Sequence, residues 1–139
     1  MKVKDLMTKT VFICAAEDPV IIVAKKMMDQ DVGMLVVVDD NLTKKPIGVI
    51  SDRDILNRVL LKKLDPEKVT AEEIATKKIV VITETATINE ATAMMKKNQI
   101  KKLVVLDDMD NLKGILSQSD VVKQFISISE QLADLSASL

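Results

Sequence analysis

Histidine is absent from the 139 residues, which removes the side chain that most often acts as general base near neutral pH. Cys14 is the one cysteine. No disulfide can close within the chain, and without an imidazole beside it the ordinary zinc and copper sites are excluded. Aromatic rings are limited to Phe12 and Phe125, so a planar base would have to be held by aliphatic side chains and backbone. Neither sign of charge dominates, with 20 Lys and Arg against 21 Asp and Glu, which argues against a broad basic face for nucleic acid. There is no Gly-x-x-x-x-Gly-Lys loop of the kind that cradles phosphates in nucleotide hydrolases. No apolar run approaches the roughly 20 residues that span a bilayer, and Met1-Lys2-Val3-Lys4-Asp5 lacks the apolar segment of a signal peptide. These absences lead us to expect a cytoplasmic protein that is not an enzyme, with no obligatory cofactor, no metal and no membrane or nucleic-acid partner.

What the chain does have is repetition. A hydrophobic share of 47% suffices for a packed core. Leu35-Val36-Val37-Val38-Asp39-Asp40 returns as Leu103-Val104-Val105-Leu106-Asp107-Asp108, and the same offset takes Thr8-Lys9 to Thr76-Lys77 and Met27 to Met95. Gly48-Val49-Ile50-Ser51 returns as Gly114-Ile115-Leu116-Ser117 at an offset two residues shorter, the difference falling in a turn, where length changes are tolerated.

Each copy reads as strand, helix, strand, strand, helix. Thr10–Cys14 and Lys78–Ile82 are rich in β-branched residues, hence short strands. Val20, Val23, Ala24, Met27 and Met28 share one helical face, as do Ile88, Ala91 and Met95. Pro19 suits the first helical turn. Met34–Val38 and Lys102–Leu106 read as strands, with Ile47–Ile50 and Leu112–Leu116 as antiparallel partners. Further helices start near Asp52 and Gln118. The strand–helix–strand step implies parallel pairing. The fold class expected is therefore α/β, as two tandem βαββα repeats: residues 1–64, a linker over 65–72 in which Thr70 and Glu73 form a capping box, and residues 73–139. Repeats this small bury little core alone, so they should pack face to face as one module.

The chemistry sits in Gly48-Val49-Ile50-Ser51-Asp52-Arg53-Asp54 and its counterpart Gly114-Ile115-Leu116-Ser117-Gln118-Ser119-Asp120. Both place G-x-x-S-x-x-D across a strand end and the first turn of a helix, where free backbone N–H groups and the helix dipole favour a phosphate. The aspartate, one turn in, would repel phosphate, but a carboxylate is a good acceptor for the two vicinal hydroxyls of a ribose. An ordinary N-cap with a dipole-favourable acid explains the same residues, and Gly48 and Gly114 have a plain reading as hairpin-end glycines.

In these motifs, and in Asp5-Leu6-Met7-Thr8 and Glu73-Ile74-Ala75-Thr76, the chain resembles a tandem pair of CBS domains (named after cystathionine β-synthase), a Bateman module, from about Val3 to Phe125. The resemblance implies pseudo-two-fold packing of the repeats and binding of AMP, ADP, ATP or S-adenosylmethionine in clefts between them. By position, Asp54 and Asp120 would hold ribose hydroxyls, and Ser51 and Ser117 would bond ribose or phosphate. Val49 and Ile115, with Val11 and Ile79, would line adenine. It also implies disc-shaped homodimers and a regulatory role, exerted on a separate partner or within an assembly of the chain itself.

The copies differ. Arg53 corresponds to Ser119, so a fixed cation sits beside the first motif only. Lys101 and Lys102 stand where the first copy has Gly33 and Met34; they offer a phosphate contact or a solvated strand end. Val121, Val122, Phe125, Ile126, Ile128, Leu132 and Leu135 form an apolar stripe wider than one repeat needs. It suits packing on its own module or a dimer contact. Cys14 reads as buried and inert. A purely structural dimerisation module with decayed sites is the competing function.

Overall fold

The computed structural model describes residues 1–137. The elements run α1 (Val3–Leu6), β1 (Ile13–Ala15), α2 (Val20–Gln30), β2 (Met34–Val38), β3 (Pro46–Ser51), α3 (Asp52–Ile55), α4 (Ala71–Ile74), β4 (Val81–Thr83), α5 (Ile88–Asn98), β5 (Lys102–Leu106), β6 (Leu112–Ser117) and α6 (Gln118–Ala137). A π-helical turn over Leu56–Leu60 continues α3. The sheets have the orders β1-β2-β3 and β4-β5-β6. β1 runs parallel to β2 with Ile13 opposite Val36, and β4 parallel to β5 with Val81 opposite Val104. β2 and β3 are antiparallel. This is the expected α/β fold, with βαββα in each copy and a one-turn helix ahead of it.

The outer strands are shorter than the sequence reading has them. Thr10–Cys14 and Lys78–Ile82 become Ile13–Ala15 and Val81–Thr83, because only three residues of each find a partner on the neighbouring strand. Pro19 is the N-cap of α2, in extended conformation, rather than its first turn. Thr70 is likewise the N-cap of α4, but its side chain accepts no cap hydrogen bond, so the expected capping box does not form.

The compact units are not contiguous in sequence. One gathers Thr10–Ile79 with Asp110–Leu112; the other gathers Met1–Lys9 with Val80–Met109 and the chain from Lys113 on. The short helix that opens each family of motifs thus serves the other copy's sheet. In the Thr10–Ile79 unit the core is built by Val20, Val23, Met27, Leu35, Val37 and Ile50 with Ile74 of α4. In the second unit Leu103, Val105, Leu116, Ala91 and Met95 close around Val3 of α1. Thr76 bridges to Val49 through backbone bonds of 3.0 and 2.8 Å, and Thr8 to Ile115 through bonds of 2.9 and 3.0 Å.

That bridging accounts for the glycines. A Cβ at Gly48 would lie 2.8 Å from the Thr76 carbonyl oxygen, and one at Gly114 2.7 Å from that of Thr8. Both sit inside strands, so the hairpin-end reading gives way to a close-approach role. The C-terminal stripe is a second departure: Val121 is buried, while Val122, Phe125, Ile126, Ile128, Leu132 and Leu135 are exposed. Full burial in α6 is therefore confined to Val121, and beyond it only Gln124 and Ser127 are half-buried among the described residues.

Candidate ligand site

Strand β3 ends at Ser51 in extended conformation and the chain turns into α3. The Ser51 Oγ accepts from the Asp54 N–H at 3.1 Å, and the Asp54 Oδ2 accepts from the Ser51 N–H at 2.9 Å. In the second copy the Ser117 Oγ accepts from the Asp120 N–H at 3.1 Å, and the Asp120 Oδ2 accepts from the Ser117 N–H at 3.0 Å. Each motif is thus a reciprocal capping box, which fixes the carboxylate at the start of its helix. Serine and aspartate are partly buried in both copies. One oxygen caps the helix, and a carboxylate has about four lone-pair sites, so capacity remains for a pair of hydroxyls.

The surroundings differ between copies. Arg58, on the π-helical turn, places Nη2 3.6 Å from the Asp54 Oδ1, and the Asp54 side chain is 18% exposed. Its Nη1 donates to the Ile74 carbonyl at 2.6 Å, which pins the guanidinium between α3 and α4. The sequence reading missed Arg58, although its place four residues beyond Asp54 on a helix is the spacing of an ion pair. Its counterpart by offset is Gln124. Arg53 is exposed, and its backbone N–H bonds the Asp52 carboxylate; the cation that meets Asp54 is Arg58. In the second copy the Ser117 and Ser119 hydroxyls are 2.9 Å apart.

The remaining candidates fall into two groups. Val49 and Ile115 are half-buried strand residues tied to the threonine bridges. Val11 and Ile79 are half-buried but lie before β1 and β4, not within them. The Lys101 carbonyl accepts from the Gln118 N–H at 2.7 Å, so its backbone adjoins the start of α6, as Gly33 adjoins Asp52 in the first copy. Lys102 opens β5 and is exposed. Cys14 is buried, and burial pushes its thiol up to about 12, helped by Asp18 and opposed by Lys26, so it is a packing residue rather than a nucleophile. Among the described residues no group of three His, Cys, Asp or Glu could hold a metal, and no helix is long and apolar enough to cross a membrane.

Known proteins are similar to this chain in sequence and in fold. Uncharacterized protein MJ0450 of Methanocaldococcus jannaschii is 34% identical over 94% of this chain and 69% of its own length. The crystal structure of Hypoxic Response Protein I with two coordinated zinc ions superposes with a TM-score of 0.76 at 27% identity, covering 88% of this chain and 98% of that one. The CBS domain pair of protein MJ0100, in complex with 5-methylthioadenosine and S-adenosyl-L-methionine, gives a TM-score of 0.77 at 25% identity, covering 91% and 97%. The family model described as CBS domain matches residues 3–61 and 71–127, so both repeats are accounted for and the chain belongs to the CBS domain family as a tandem pair.

Proposed function

We propose that the chain is a non-catalytic, cytoplasmic regulatory module that binds an adenosine-type ligand at its two Ser-x-x-Asp motifs. The repeats act as residues 1–64 and 73–139, joined by 65–72. The observation that carries the reading is the twinned capping box, which holds a partly buried carboxylate at the same place in both copies. Asp54 and Asp120 take the ribose hydroxyls. Ser51 and Ser117 bond ribose or phosphate, and Val49, Ile115, Val11 and Ile79 contact adenine. Arg53 and Lys102 attract phosphate. The ligand class is AMP, ADP, ATP or S-adenosylmethionine; the ligands in the MJ0100 complex support the adenosine part. The chain works as a homodimer on a separate effector protein, through differential affinity of ligand for two arrangements of the module.

A thermal-shift and calorimetry panel over AMP, ADP, ATP, S-adenosylmethionine and NAD tests it. At least one adenosine compound should raise Tm, and Asp54→Ala with Asp120→Ala should abolish the shift while the protein stays folded. Indifference of the wild type to every compound at millimolar concentration defeats the reading. It would favour a structural module, for which the Arg58 pairing that already occupies Asp54 is the supporting observation. Sedimentation with and without ligand separates the two.

A further inference from the structure

One guanidinium in the first copy joins two elements that are distant in sequence. Helix α4 is only four residues long. The Ala75 N–H closes on the Ala71 carbonyl at 2.9 Å, and the later carbonyls have no partner inside so short a helix. The Ile74 carbonyl is met by the Arg58 Nη1 at 2.6 Å, a cation at the negative end of the helix. The Arg58 Nη2 lies 3.6 Å from the Asp54 Oδ1. A planar guanidinium, with its donors fixed in a fork, can hold both acceptors at once. Arg58 sits on the π turn Leu56–Leu60, where the Leu61 N–H reaches back to the Leu56 carbonyl at 2.9 Å. Such turns are rare, and many of them lie at functional sites.

The second copy serves as a control. Leu6 ends α1 as Ile74 ends α4, and Gln124 stands at the position of Arg58. A hollow of about 310 Å³ lined by Leu6, Gln124 and Phe125 opens beside them, and α6 runs as a regular α-helix from Gln118 to Ala137. Among the described residues, the guanidinium bridge and the π turn thus occur together and in the first copy alone.

The bridge connects Asp54 to everything that α4 touches. The Ala71 N–H donates to the Asp18 carbonyl at 2.8 Å, the Glu72 N–H donates to the Ala16 carbonyl at 3.0 Å, and Thr76 exchanges two bonds with Val49. A diol that takes the Asp54 Oδ1 removes one end of the bridge. The Arg58 side chain, 44% exposed, then turns toward water, and the Ile74 carbonyl loses its cap. We infer that Arg58 is a relay: occupation of Asp54 loosens the end of α4 and, through Thr76, its hold on Val49 in β3. By reciprocity, anything that draws α4 away raises affinity at Asp54 by the same factor. The relay itself is independent of what the ligand is. Its use as a regulatory signal rests on the adenosine reading above.

Amide hydrogen exchange of the full chain tests it, because exchange reports local opening. Asp54→Asn keeps an oxygen for the Ser51 N–H but loses the charge that holds Arg58. It should quicken exchange at Ala75 and Thr76 by up to about fivefold, the opening expected from loss of a partly exposed ion pair. Asp120→Asn should leave Met7 and Thr8, the matching amides of the second copy, unchanged. No quickening with Asp54→Asn, or equal quickening in the two copies, overturns the relay. Should Asp54→Asn fail to fold, Arg58→Lys decides the matter. A lysine can cap the Ile74 carbonyl but cannot fork to both acceptors, so Ala75 and Thr76 should again exchange faster. Full protection there would mean that a one-ended cap suffices, which overturns the relay. Saturating adenosine on the wild type, with binding read separately by calorimetry, should reproduce the Asp54→Asn pattern. Binding without that pattern overturns the relay. Absence of binding defeats the adenosine reading, and the variants alone then decide the relay.

Discussion

The two motifs share a backbone device and differ in what confronts the carboxylate. At Asp54 the second carboxylate oxygen faces Arg58, which is itself tied to the Ile74 carbonyl. At Asp120, among the described residues, the partner is its own capping serine, and the position corresponding to Arg58 is Gln124. On the proposed reading, a diol arriving at Asp54 would compete with a guanidinium, and one arriving at Asp120 would not. Matching capping geometry thus comes with unequal electrostatics around the two carboxylates, and the inequality lies one helical turn beyond the motif.

The largest effect should come from what the copies have in common. Gly48→Ala and Gly114→Ala each drive a methyl into a threonine carbonyl at 2.8 and 2.7 Å, and each should cost about 1–3 kcal/mol in chemical denaturation. A Cβ at Gly114 would also lie 2.8 Å from the Met7 side chain, which can swing away, so a far smaller cost at Gly114 alone would show that the Thr8 bridge yields.

Next in size is the exchange of the differing residue. Arg58→Gln should strengthen adenosine binding at the first motif by up to roughly fivefold, the equivalent of a partly exposed ion pair of about 1 kcal/mol. Gln124→Arg should weaken the second motif by a similar factor. Isothermal titration with adenosine, which carries no phosphate, reads both; no change in either would mean that Arg58 and the diol do not compete.

The smallest effect concerns helix ends. Asp31 and Gln99 close α2 and α5 in the left-handed region, each with φ 52°. Gln99→Gly should stabilise by about 0.5–1 kcal/mol, and Asp31→Gly by less, since aspartate tolerates this conformation better. Equal gains in Tm would remove that distinction.

Much of this was legible beforehand. β2 and β5 match the residues read from their apolar runs, and α3 and α6 begin where the motif placed them, because a serine N-cap and a strand end are local events. The stops of α2 and α5 were not legible, since neither carries the glycine that usually marks them. The three-residue outer strands were overcalled because strand length is set by the partner's ladder rather than by propensity. Arg58 was within reach through its spacing from Asp54, but its second anchor on Ile74 depends on the packing of α4.

By itself the sequence determined the duplication, the βαββα order and the capping position of Ser51 before Asp54 and of Ser117 before Asp120; the first is read by comparing the copies, and the others follow from patterns local along the chain. The tertiary structure decided which segment completes which sheet, why Gly48 and Gly114 must lack a side chain, and that the stripe on α6 is left uncovered. Those outcomes depend on atoms far apart along the chain coming within van der Waals range, and no local pattern of residues encodes such a distance.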